Sequence, residues 1–117
     1  MDAVVDHGAR AAAARLRGSF GDELPLAVDT ELHRNSDVRP GQYVDPVSLG
    51  ALIVSIASLA WTIYTDLRKK GGPFPSPQVV ARTVRVQLDQ PNDLTQAHLT
   101  EVIEVTVEET LRNAPPE

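Results

Sequence analysis

Three histidines, a cluster of four glutamates and a basic trio are the side chains of this sequence best equipped for chemistry. His7, His33 and His98 stand far apart, and none belongs to an HExxH or comparable metal-ligand spacing. His98 falls in the first turn of a helix candidate, where a surface or capping position accounts for it. His33 lies near Asp29 and Glu31, which would tune its titration, although a solvated loop explains the same residues. Glu101, Glu104, Glu108 and Glu109 could hold a cation, but their spacing more simply makes an acidic, solvated helix face. No second ligand-bearing helix accompanies them, so no metal is expected.

Nucleophile and phosphate chemistry fare no better. Ser48-Leu49-Gly50 lacks the flanking glycines of a nucleophile elbow. Gly71-Gly72-Pro73 runs into proline instead of a Lys-Ser/Thr helix start, so it is not a phosphate loop. The chain contains no cysteine, which excludes disulfides, zinc–thiolate sites and thiol nucleophiles. Its net charge is −5, which leaves no broad footprint for nucleic acid. No acids, bases and nucleophiles converge, and no small-molecule substrate or cofactor is marked. The sequence is that of a non-enzymatic protein.

The element that must organise everything else is the uncharged run Pro46–Thr65, closed by Asp45 and Asp66. As a helix it would be about 30 Å long, the thickness of a bilayer's hydrocarbon core. Asp45 as N-cap, Pro46 at the first helical position and the Gly71-Gly72-Pro73 stop predict a helix over about 46–70. Tyr43, Trp61 and Tyr64 sit where interfacial aromatic anchors belong, and Arg68, Lys69 and Lys70 can snorkel to a headgroup layer. If the run spans a membrane, the greater number of bases after it than before it places the C-terminal part in the cytoplasm. Inside the run, Ala51, Ser55, Ser58 and Thr62 draw one narrow seam suited to helix–helix contact. Leu49, Ile53, Ile56, Leu59 and Ile63 form the bulkier opposite surface.

The 117 residues otherwise divide into short flanks. Residues 1–45 form an acidic segment with eight acids against five arginines, and 2–17 are an Ala-rich helix candidate bracketed by Gly18 and Gly21. Leu24, Leu26, Val28, Thr30 and Leu32 alternate at period two, which predicts a short strand over 24–32 starting near Pro25. His33 to Gln42 is a polar loop. Residues 71–76 read as a Gly/Pro linker and 77–112 as a helix pair. In that pair Ser76-Pro77 opens a helix over 77–88, with 83–88 also compatible with a strand. Thr95 caps a helix over 95–112, and Leu94 and Leu99 form a hydrophobic staple. Leu99, Val102, Ile103 and Leu111, with Thr106 and Thr110 between them, make an apolar stripe available for a partner. Residues 113–117 read as a disordered tail.

The fold class is therefore mainly α with one short strand. The expected function is a single-span membrane anchor, adaptor or accessory subunit that self-associates or docks through the central helix and the C-terminal pair. The alternative is a soluble helical subunit of an oligomer with the central helix buried, and a holin-like pore former is a third variant. The layout resembles short accessory membrane proteins of bacterial multi-component systems, and the Ala, Arg, Val and Pro usage suits a bacterial source.

Overall fold

Alanine carries the first helix. The computed structural model describes residues 3–33, 49–70, 75–88 and 96–114. Helix α1, Ala3–Phe20, runs through the alanine-rich stretch and ends at Gly21. That glycine adopts φ 111°, a left-handed conformation favoured by glycine, and its N–H reaches the Arg17 carbonyl at 2.8 Å. Gly18 lies inside the helix and is not its end.

The expected strand does not form: residues Leu24–His33 are helix α2. The alternating set Leu24, Val28, Leu32 also has a helical spacing of four, and tertiary packing selects that subset. Leu24 and Val28 are buried, while Leu26, an equal member of the alternation, is 68% exposed. Pro25 sits in the first helical turn, where its missing N–H leaves no intrahelical bond unmade. With no partner strand to pair with, a lone strand at 24–32 would leave its backbone groups unsatisfied. Among the described residues the fold is all-α.

Helix α3, Leu49–Lys69, lies within the range expected for the central helix. The capping residues Asp45 and Pro46 fall outside the described residues, as do Tyr43, Leu94 and Thr95. Helix α4, Pro77–Gln87, starts as its sequence dictates: Ser76 Oγ accepts the Val79 N–H at 3.2 Å, with Pro77 in the first position. Residues 83–87 continue that helix. Helix α5, Gln96–Arg112, completes the set, and Asn113 Nδ2 bonds the Glu109 carbonyl at 2.8 Å beyond its end.

All four other helices pack on α3. Ile53, Ile56, Ala57 and Ala60 of α3 are fully buried, beside Val80 and Val84 of α4 and Val102 and Val107 of α5 in one core. The Cα radius of gyration is 13.4 Å, close to the value of about 13 Å for a compact domain of 100 residues. The α3 helix does not stand apart from the rest.

The most extensive helix pair joins α1 to α5, antiparallel, and small residues make it possible. Ala9, Ala12 and Ala13 are fully buried, and a Cβ on Gly8 would lie 2.6 Å from the Thr110 Cα. Backbones separated by hydrogen and methyl groups approach more closely than ordinary side chains allow. Gly50 plays the same part between α3 and α2, where a Cβ would lie 2.7 Å from the Ala27 carbonyl carbon. The α1 helix therefore packs tightly despite its small side chains.

Among the described residues one buried side-chain oxygen lacks a partner. Thr110 Oγ1 donates to the Thr106 carbonyl at 2.7 Å, but the fully buried Thr106 Oγ1 has no hydrogen bond. An unsatisfied buried hydroxyl costs about 1–3 kcal/mol. Thr106→Val keeps the shape and removes the hydroxyl, so it is expected to stabilise the fold by about 1 kcal/mol. Thermal unfolding checks this as a rise in Tm of about 2–8 °C.

Candidate functional site

The outward face of α3 is where composition and exposure disagree most with an ordinary surface helix. At 100° per residue, Ala51, Ser55, Ser58, Thr62 and Thr65 fall on one side, and Ile53, Ile56, Ala60 and Ile63 on the other. The isoleucine side is buried; the seam side is not. Ala51, Ser55 and Ser58 are partly exposed and Thr62 is exposed. The seam identified from spacing is thus the face that α3 turns away from its own core.

Its hydroxyls are partly turned inward on the helix. Thr62 Oγ1 donates to the Ser58 carbonyl at 3.0 Å, and Thr65 Oγ1 donates to the Thr62 carbonyl at 3.0 Å. Such bonds satisfy the donor while leaving an oxygen lone pair facing out. The face is smooth and uncharged from Leu49 to Thr65, and the first charge on it is Asp66.

Three of the expected membrane anchors meet in one stack. Trp61 and Tyr64 lie 5.7 Å apart and nearly parallel, at 19°, and the Arg68 guanidinium sits 5.7 Å from the Tyr64 ring centroid. Tyr64 is only 7% exposed, so this ladder leans on the core. Lys69 and Lys70 are exposed at the helix end. The stripe Leu99, Val102, Ile103 and Leu111 faces inward, with Val102 and Ile103 buried in the common core and Leu99 and Leu111 packed against it. Helices of the same chain cover it.

The titratable residues are structural in their placement. Arg10 pairs with Asp6 at 2.5 Å and with Asp29 at 2.6 Å, tying α1 to α2. The hydrogen bond from Arg10 holds the Asp29 carboxyl below the usual carboxylate range. A depressed carboxyl favours the folded state above that range, and the contribution disappears as pH falls through it. The pair is exposed, so the effect is small. Arg15 bridges Glu108 and Glu109, each at 2.9 Å, and those two hydrogen bonds raise its own pKa. Glu109 is 94 positions from Arg15, buried, and also faces Arg112 at 3.5 Å.

That burial corrects the expectation of a solvated acidic face: Glu109 points inward while Glu104 and Glu108 face out. Glu101 accepts from Ser19 at 3.2 Å. His33 Nδ1 lies 2.8 Å from the Asp29 carbonyl oxygen, and His98 meets Phe20 edge-on at 5.3 Å. Among the described residues no three His, Asp or Glu side chains are grouped to hold a metal.

Sequence spacing also missed the close approach of α1 to α5, although its signal was present. Gly8 with Ala12, and Ala9 with Ala13, repeat at the same four-residue interval as the α3 seam, and in α1 that pattern does mark a close helix approach. The site and fold together define an all-α unit with one uncharged outward helix face. Comparison with protein-family models, curated proteins and solved structures finds no match to this chain.

Proposed function

We propose that the chain is a non-enzymatic helical assembly subunit that docks the outward face of α3 against a helix of another protein chain. The sidedness of α3 carries this reading. Its bulky isoleucines are spent inside the fold, and outside, between the partly exposed Leu59 and Trp61, runs a strip of methyl and hydroxyl groups. Solvent-facing positions on the other helices carry charges, among them Arg10, Asp29, Arg82, Glu104 and Glu108. A 21-residue helix would ordinarily show such charges on its wet side. Small residues there let a second helix approach closely.

A membrane span is the second reading, favoured by one observation. The α3 helix has a mean hydropathy of 1.4 over its most apolar 18 residues, enough to cross a bilayer by length and composition. In that state the isoleucine face meets lipid or neighbouring spans, the C-terminal part lies in the cytoplasm, and α1 and α5 need another cover. Half of the same stretch is buried inside the fold, which supports the first reading over this one. A holin-like role is a variant of the span.

Alkaline carbonate extraction separates the two. Release of the protein in a folded, helical state without detergent is the expected result. Retention in the membrane pellet would sink the assembly reading. Ser58→Lys sharpens the comparison, because a lysine at a partly exposed position can run its stem out to water and leave the fold intact. The expected outcome is an unchanged melting curve with loss of the native complex on size exclusion of gently lysed cells. A loss confined to membrane retention would instead favour the span, where a central lysine costs about 2.5–3.5 kcal/mol.

A further inference from the structure

The C-terminal helix pair carries a second surface with a different chemistry. An open groove of about 400 Å³ runs between α4 and α5. Ala81 and Ile103 contribute apolar lining, Arg82 and Arg85 line the α4 side, and Glu104 and Glu108 line the α5 side. The two signs are segregated, one to each helix. Arg85 bonds across to Thr100 Oγ1 at 2.7 Å and to Gln96, and Glu108 is held by Arg15. Arg82 and Glu104 are exposed and form no ion pair among the described residues.

Beside this groove α4 exposes apolar surface. Val79 is 44% exposed and Val86 is 81% exposed, seven residues apart and flanking Arg82 on the same edge of the helix. Scattered single apolar residues on a surface need no explanation, but a pair at this spacing forms a stripe. A basic wall and an acidic wall thus face each other across the groove, with the apolar stripe on the outer edge of α4.

We propose that this patch binds a second copy of the chain through a two-fold axis. A two-fold interface requires that residue i meet residue j and that j meet i. Here the operation brings the basic wall of one copy against the acidic wall of the other, so Arg82 faces Glu104 of the partner subunit and the reverse. Any other partner would have to supply the opposite order of signs, whereas a second copy supplies it by symmetry. Charge balance points the same way. The chain as a whole carries −5 and repels itself, but two arginines against two glutamates leave this patch neutral.

This dimer rests on the reading of the chain as an assembly subunit and gives that subunit its self-contact, distinct from the α3 face. The test is molecular mass by sedimentation across a dilution series of the full chain. Wild type is expected to run as a dimer. Arg82→Glu and Glu104→Arg, each at an exposed position, are expected to weaken dimerisation at least about tenfold with the far-UV spectrum unchanged. Mixing the two variants in equal amounts should restore a heterodimer, because each then offers the charges the other lacks. A pairing within one chain would give no such rescue. A monomeric wild type, or an Arg82→Glu variant that keeps the wild-type mass, overturns the proposal. If Ser58→Lys dissolves the multimer and Arg82→Glu does not, the groove contact falls while assembly through α3 stands.

Discussion

Replacing Ile56 with alanine is expected to destabilise the protein by about 2–5 kcal/mol, a large share of the roughly 5–15 kcal/mol that holds a small domain folded. Ile56 has no exposure to solvent and sits at the middle of the α3 face that all the other helices share. Truncation removes apolar surface buried on folding and leaves a cavity in the shared core. Chemical denaturation should show the midpoint fall with little change in slope. The same substitution in a lipid-facing span removes only an insertion preference of about 0.3–0.6 kcal/mol. A loss well below 1 kcal/mol would therefore show that the packed face of α3 is not what stabilises the protein.

The second large effect is expected at Gly8, where alanine should destabilise by up to about 2 kcal/mol despite its better helix propensity. Two effects compete. Exchanging glycine for alanine inside a helix gains about 0.8–1 kcal/mol. Overpacking a tight contact costs about 1–3 kcal/mol. The new Cβ would sit 2.6 Å from both Cα and Oγ1 of Thr110. The hydroxyl could turn away only by losing its bond to the Thr106 carbonyl, and the Cα belongs to the backbone of a helix packed on several sides. Overpacking wins. Gly18 is the control: it is exposed, nothing lies within 4 Å of its Cβ position, and alanine there should stabilise slightly. Thermal melts of the two variants should move in opposite directions.

Most of the helical layout was legible because caps and periodicity are local. Ser76-Pro77 names the start of α4 outright, and the stripe from Leu99 to Leu111 announces a buried face on α5. What failed at 24–32 was a choice between two periods that share residues. Leu24 and Val28 satisfy both, and only Leu26, left out in water, distinguishes them after the fact. The α3 seam was visible as a pattern, but its direction depends on which face the other helices choose. Isoleucine offers them more apolar area than alanine and serine, so they take the isoleucine side and the seam is left outside. Glu109 was illegible for a related reason. Its inward turn is stabilised by Arg15, a residue 94 positions away.

That same separation has a consequence in time. The α1–α5 pair is the most extensive in the fold, yet three other helices are synthesised between its two members. At about 5–20 residues per second, α5 follows α3 by some 2–8 s. During that interval α1 and α2 are available to cover α3, but the part of its aliphatic flank that packs on α5 is not covered. Loop closure over so long a separation also makes the last docking step slow for a helical protein. A chain stalled after α4 should be cleaved by protease within α3, where the full chain resists. Protection of the stalled chain would show that α3 finds its cover without α5. The fate of this helix is set by a race between the arrival of α5 and whatever meets the uncovered part of its flank first.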